Sequence, residues 1–159
     1  MEYILLLTAC INPDGMPFTC LADVGVRKKQ YIEALNFYLK NTTRKIVFVE
    51  NSGTDISSSF KDFQHRIEFL CFDGNLCFDK RKGKGYGEAL ILEYAMAKSE
   101  FITDDVLIFK LTGRLQLINI NRLIHYMDKL SPSKYLQPII TQYFIDNKSE
   151  IWLLFLIAH

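Results

Sequence analysis

The sequence predicts an α/β domain built on a mostly parallel sheet. Three observations lead there. Short apolar runs alternate with helix-period stretches in the order strand, helix, strand, helix, strand, helix, strand. The run Lys45-Ile46-Val47-Phe48-Val49 is apolar without alternation, as in a strand buried on both faces. The chain has 159 residues, 49% of them hydrophobic and 23% charged, which suits one domain with a sizeable core.

The first strand is the run from Tyr3 to Cys10, closed by Asn12-Pro13-Asp14-Gly15. Proline sets one torsion of that turn and glycine permits a positive φ. A helix follows: Tyr31, Leu35, Tyr38 and Leu39 recur at helical spacing, Ile32 and Ala34 widen the stripe, and Asn41-Thr42-Thr43 stops it. The second strand, Lys45 to Val49, ends at Asn51-Ser52-Gly53. Asp55 is placed to cap a short helix through Ser57, Phe60 and Phe63. Ile67 to Phe72 reads as the third strand, and Asp73-Gly74-Asn75 turns the chain. Glu88 to Lys98 is a run of helix formers, so apolar that cover on most sides is expected. Val106 to Phe109 is the fourth strand, and Asn119 is placed to cap a helix carrying Leu123, Ile124 and Met127. Pro132 and Pro138 interrupt regular structure further on. No repeat, low-complexity tract or linker divides the chain, so residues 1–159 read as one domain.

Charge and cysteine usage exclude several classes. There are 19 basic and 18 acidic side chains, a net charge of +1, so a general nucleic-acid surface is not expected. No apolar run approaches the ~20 residues of a membrane-spanning helix. Ile4-Leu5-Leu6-Leu7 follows Met-Glu-Tyr without a basic segment, which suits a strand in a cytoplasmic protein better than a leader. Cys10, Cys20, Cys71 and Cys77 form no CxxC pair, and His65, His125 and His159 are scattered. Clustered zinc ligands are therefore not expected, and the thiols read as structural or incidental.

Three segments could carry chemistry. Lys80-Arg81-Lys82-Gly83-Lys84-Gly85-Tyr86-Gly87-Glu88 places cations and alternating glycines at the start of a helix. Glycines let backbone N–H groups approach an anion, and the helix N-terminus and the lysines add positive charge. The segment is neither GxxxxGK[ST] nor GxGxxG, and a flexible basic loop is the competing reading. Lys110-Leu111-Thr112-Gly113-Arg114 follows the fourth strand, where open α/β sheets bind ligands; arginine there can grip phosphate oxygens bidentately. Glu50-Asn51-Ser52-Gly53 ends the second strand and offers a carboxylate and a carboxamide to a base or ribose, or is an ordinary turn. Thr8 and Ala9 end the first strand. Parallel strands bring these ends to one edge, so one site can take a base near the first two strands and a diphosphate near the last two. Candidate binding residues are Thr8, Glu50, Asn51, Lys82, Gly83, Lys84, Gly85, Lys110, Thr112 and Arg114.

The order of these elements resembles the nucleotide-binding half of a GT-A glycosyltransferase. In the inverting family 2 of that fold, the third strand leads to a glycine-containing loop and a long alanine-rich helix. A short strand ending in a metal-binding DxD motif comes next. KGKGYGEALILEYA followed by KLTGR is also similar to a set of bacterial surface-polysaccharide transferases related to that family. The resemblance covers about residues 1–125, the nucleotide-sugar part, and leaves 126–159 as an incomplete acceptor part or an atypical tail. It implies a Rossmann-like half that binds a nucleoside-diphosphate sugar. It further implies transfer of the sugar to a glycan or lipid-linked acceptor, in the cytoplasm at the inner face of the membrane.

The sequence departs from that pattern in two places. The DxD position reads Lys110-Leu111-Thr112-Gly113-Arg114, whose cations would repel Mg²⁺ or Mn²⁺ and neutralise a diphosphate directly, so no metal ligand is assigned. Asp104 and Asp105 precede the strand and fall at the wrong end. No catalytic base is assigned either: Asp128, Asp146 and Glu150 are carboxylates in positions that solvated surface charge would equally occupy. The chain ends on Ile151 to Ile157, seven consecutive apolar residues. Such an ending best fits a premature stop or at least an incomplete domain, with a buried strand, a self-associating surface or a peripheral membrane contact as the alternatives. A nucleotide-binding or assembly module without transferase activity is the alternative function.

Overall fold

The apolar runs form strands because their alternate residues can be buried on opposite faces of a sheet. The computed structural model describes residues 2–16, 19–74, 79–104, 106–129, 141–145, 149–153 and 155–157. Strands β1 (Glu2–Ala9), β2 (Lys45–Glu50), β3 (Ile67–Cys71) and β4 (Val106–Thr112) are mutually parallel. Beyond them, β5 (Thr141–Ile145) and β6 (Ser149–Leu153) form a separate antiparallel pair. Strand β7 (Phe155–Ile157) joins the main sheet antiparallel to β4, giving the order β3-β2-β1-β4-β7. The molecule is thus an α/β protein with a mostly parallel central sheet and flanking helices.

Each face of the sheet has its own core. Leu5 and Leu7 of β1, with Phe48 and Phe109, pack against helices α1 (Val24–Asn41) and α3 (Ile120–Asp128). Ile4 and Leu6, with Val47, Val49 and Ile108, pack against helix α2 (Gly83–Lys98). Leu5, Leu6 and Leu7 are fully buried, and each such side chain stabilises the fold by about 1.5–3 kcal/mol.

Helix α1 starts earlier than its apolar stripe suggests. Asp23 caps it, accepting from the Val26 amide at 2.8 Å. It ends as expected at Asn41, where Thr42 turns both its amide and its hydroxyl onto the Tyr38 carbonyl. The Asn12–Gly15 turn closes through Met16 N–H to Pro13 at 2.9 Å, with positive φ at Asp14 and Gly15. The Asp55 carboxylate accepts from the Ser57 amide at 2.7 Å at the head of a 3₁₀ segment, Ser57–Phe63. At α3 the Asn119 backbone carbonyl accepts from Leu123 N–H.

Three expectations are corrected. Helix α2 begins at Gly83 rather than Glu88, so the basic glycine segment forms its first turn, preceded by a 3₁₀ turn over Lys80–Lys82. Gly83, at φ +79°, makes the joint between the two, which a side chain would strain. The helix is also not covered on most sides: only Gly87, Ile91 and Ala95 are buried, one stripe at i, i+4, i+8. Strand β4 runs on through Thr112, so Lys110 lies inside the strand rather than after it. Asp104 sits, as expected, just before the amino end of β4. Cys77, Asp105, Pro132, Pro138, Asp146 and His159 lie outside the described residues. Among those described, no helix is long and apolar enough to cross a membrane.

Candidate functional site

From β1 the chain builds outward to β2 and β3, then returns through α2 to β4 on the other side of β1. Open α/β sheets part their connecting loops at such a reversal, leaving a crevice outside the carboxyl ends of the two strands. Here a cavity of about 410 Å³ lies at that point, between the ends of β1 and β4. Its size falls in the ordinary range for small-molecule sites.

The rim of this cavity is held by buried polar groups. Arg27, on the first turn of α1, is buried and donates to three carbonyls of the loop after β1. Its Nε reaches Cys10 at 2.9 Å and Ile11 at 3.1 Å, and its Nη1 reaches Leu21 at 3.0 Å. The Tyr31 hydroxyl accepts from the Cys10 amide at 3.0 Å, and burial raises its pKa. Glu50, at the end of β2, is almost fully buried. Its carboxylate accepts from the amides of Ile11 (2.8 Å), Ser52 (2.9 Å) and Thr54 (2.8 Å), joining the loops that leave β1 and β2. Cys71 lies beside it, its thiol pushed up to about 11 by burial and then by the Glu50 carboxylate.

The floor carries a linked set. Residues Thr8 and Lys110 alternate onto the α2 face of β1 and β4, where Glu88 meets them. The Thr8 hydroxyl donates to Glu88 Oε1 at 2.8 Å, and the buried Lys110 ammonium pairs with the same oxygen. Gly113 then lets the chain turn tightly over Thr8, its amide donating to the Thr8 carbonyl at 2.9 Å.

The structure brings together five of the ten residues selected from sequence: Thr8, Asn51, Lys84, Thr112 and Arg114 line the cavity. The carboxamide oxygen of Asn51 is itself buried and has no hydrogen-bond partner among the described residues. Arg114 also reaches Gln30 at 3.2 Å. Glu50 and Lys110 stand behind the wall, engaged as described. Lys82 lies over the Tyr86 ring at 4.3 Å, outside the lining, as do Gly83 and Gly85. A side chain at Gly83 or Gly85 would meet open space, so neighbouring packing does not require glycine there.

Arg27, Tyr31 and Glu88 line the cavity and were not selected from sequence. Their signal was positional. Arg27 lies one helical turn before Tyr31 and extends the buried stripe of α1. Glu88 shares a face with Ile91 and Ala95.

Arg27, Lys84 and Arg114 give the lining three cations against one carboxylate, Glu88. Such a wall suits an anionic ligand. No group of three or more metal-ligating side chains occurs among the described residues. Comparisons of the chain with protein-family models, with curated proteins and with solved structures returned no match. Fold and site together define an α/β protein with a cationic cavity at the reversal point of its parallel sheet.

Proposed function

We propose that this cavity binds a nucleoside-diphosphate sugar and that the protein is a glycosyltransferase-like member of surface-polysaccharide assembly, with a Rossmann-like GT-A half. The observation that carries the reading is the convergence of Lys84 and Arg114 on one cavity outside β1 and β4. Two such cations would neutralise a diphosphate bound in this cavity. Asn51, from the end of β2, lies in the same lining.

In the reaction, the bond between the sugar's anomeric carbon and the diphosphate oxygen breaks. An acceptor hydroxyl oxygen forms the new bond, and its proton passes to a base. The chain's contribution would be to neutralise the departing diphosphate, with donors already in place before charge develops. The acceptor would be a glycan or a lipid-linked glycan at the inner face of the membrane.

Titration calorimetry with UDP and GDP tests the binding step. Saturable binding of either supports the reading, and binding of neither rejects it. Release of free sugar from UDP-glucose or GDP-mannose, or its transfer to a glycan, tests the chemistry. A binding module without transfer is the second reading. It is favoured by one observation: Glu88, the only carboxylate among the described lining residues, is already paired with Lys110. Binding without hydrolysis or transfer would select it.

A further inference from the structure

Glu88 is out of character with its surroundings. Every other charged residue in the described lining is a cation, and a carboxylate there repels the anion that the cations attract. Its two oxygens are used differently. Oε1 takes both the Thr8 hydroxyl and the Lys110 ammonium, whereas no described residue donates a hydrogen bond to Oε2. The side chain is 37% exposed, on the wall of the cavity. Its orientation is set by two strands in fixed register, with Leu6 opposite Lys110 and Thr8 opposite Thr112. The result is an oriented, acceptor-only oxygen on a residue that shares the cavity lining with the cations, and the ligand group that satisfies such an oxygen is a neutral hydroxyl.

We infer that Glu88 is the sugar-recognition residue of this cavity: its Oε2 accepts a hydrogen bond from a ring hydroxyl of a phosphorylated sugar ligand. The inference rests on the nucleotide-sugar reading above. The hydroxyl belongs to the ribose or to the transferred sugar, which share this chemistry. Lys110 and Thr8 are positioning residues, holding the carboxylate while Lys84 and Arg114 hold the phosphates.

The test measures dissociation constants of wild type and Glu88→Gln for pyrophosphate, UDP, UDP-glucose, GDP and GDP-mannose. Glutamine keeps the shape and an oxygen for Thr8 and Lys110. It replaces the open acceptor by a donor and removes one negative charge. Pyrophosphate should bind the variant as tightly as wild type or more tightly, while a sugar-bearing ligand should bind about tenfold more weakly. Weakening already present with UDP or GDP assigns the ribose, and weakening confined to the sugar nucleotides assigns the transferred sugar; both uphold the inference. An equal change for pyrophosphate and the nucleotides, or tighter binding of every ligand, overturns it and leaves the nucleotide reading standing. Failure of wild type to bind any of the ligands overturns both. Should the variant not fold, wild type is titrated with UDP and UDP-glucose analogues each lacking one ring hydroxyl. One analogue should lose about tenfold in affinity; equal affinity across the series overturns the inference.

Discussion

The Gly113 amide donates to the Thr8 carbonyl at 2.9 Å, and a Cβ on residue 113 would lie 2.8 Å from that same oxygen. The same Cβ would come within 3.2 Å of the Tyr31 ring. Neither neighbour has slack. The carbonyl belongs to a central strand, and Tyr31 is buried. Gly113→Ala should therefore cost about 1–3 kcal/mol of stability, as overpacking does. Urea denaturation of the two proteins measures it. An unchanged midpoint would show that the turn relaxes freely.

Much of this fold could be read from residue type alone, and what could not shares one cause. Ile46 to Val49 and Leu5 to Leu7 announce strands because only burial on both faces accommodates them. Lys110 reads as the end of a strand, because burying an ammonium is costly unless a partner meets it. That partner, Glu88, sits 22 positions earlier, on the helix packed against the same face of the sheet. Arg27 is hidden in the same way: its partners are backbone carbonyls of another loop, and backbone leaves no mark on residue type. The glycines of the basic segment oppose helix by about 1 kcal/mol each, which set its start too late. Thr8, Lys84 and Arg114 could be placed together because parallel topology alone brings strand ends to one edge.

The Lys110–Glu88 pair should behave as a coupled unit. Lys110→Met leaves the carboxylate without its cation, and Glu88→Gln leaves the buried ammonium with a weaker acceptor. The double variant should lose less stability than the two single losses summed, by about 1 kcal/mol, a modest figure because Glu88 is partly exposed to solvent screening. A double-mutant cycle by thermal or urea unfolding checks it, and strict additivity would show that the contact contributes nothing.

Alkaline pH should weaken the fold in a defined window. Burial, then the Glu50 carboxylate, pushes the Cys71 thiol from 9.0 up to about 11, and burial pushes Tyr38 from 10.0 to about 12. In both cases the native state holds its proton more tightly than the unfolded chain does. Their contributions are fully present below about pH 9 and fall away as pH rises through about 11 and then 12. Urea midpoints should be level up to pH 9 and decline above it. Cys71→Ala should flatten the first part of that decline. In wild type at pH 8, iodoacetamide should modify the exposed Cys20 before Cys71.

Arg114 should dominate nucleotide affinity without help from a metal. Lys110 is engaged by Glu88, which leaves Lys84 and Arg114 as the sequence-selected cations on the cavity wall. A charge-assisted hydrogen bond from arginine to phosphate is worth about 1.5–3 kcal/mol. Arg114→Ala should weaken UDP or GDP binding about tenfold or more, whereas EDTA should change it little. Strong Mn²⁺ dependence together with an unaffected Arg114→Ala would reject this arrangement.

The last strand should prove part of the sheet. β7 covers the edge of β4 that does not face β1, with Phe155 opposite Phe109 and Ile157 opposite Leu107. β4 is otherwise a buried strand, all but its last residue enclosed. Removing residues from Ser149 onward deletes β6 as well as β7 and bares the N–H and C=O groups of β4 along that edge. Unpaired, apolar edges of this kind template association with other chains. The shortened chain should therefore melt at a lower temperature and elute as aggregates in size-exclusion chromatography. Single substitutions of Phe155 and Ile157 by lysine, which charge the edge strand without removing it, should reduce stability less than the deletion does. A shortened chain that stays monomeric with an unchanged melting temperature would show that β4 does not need its antiparallel neighbour.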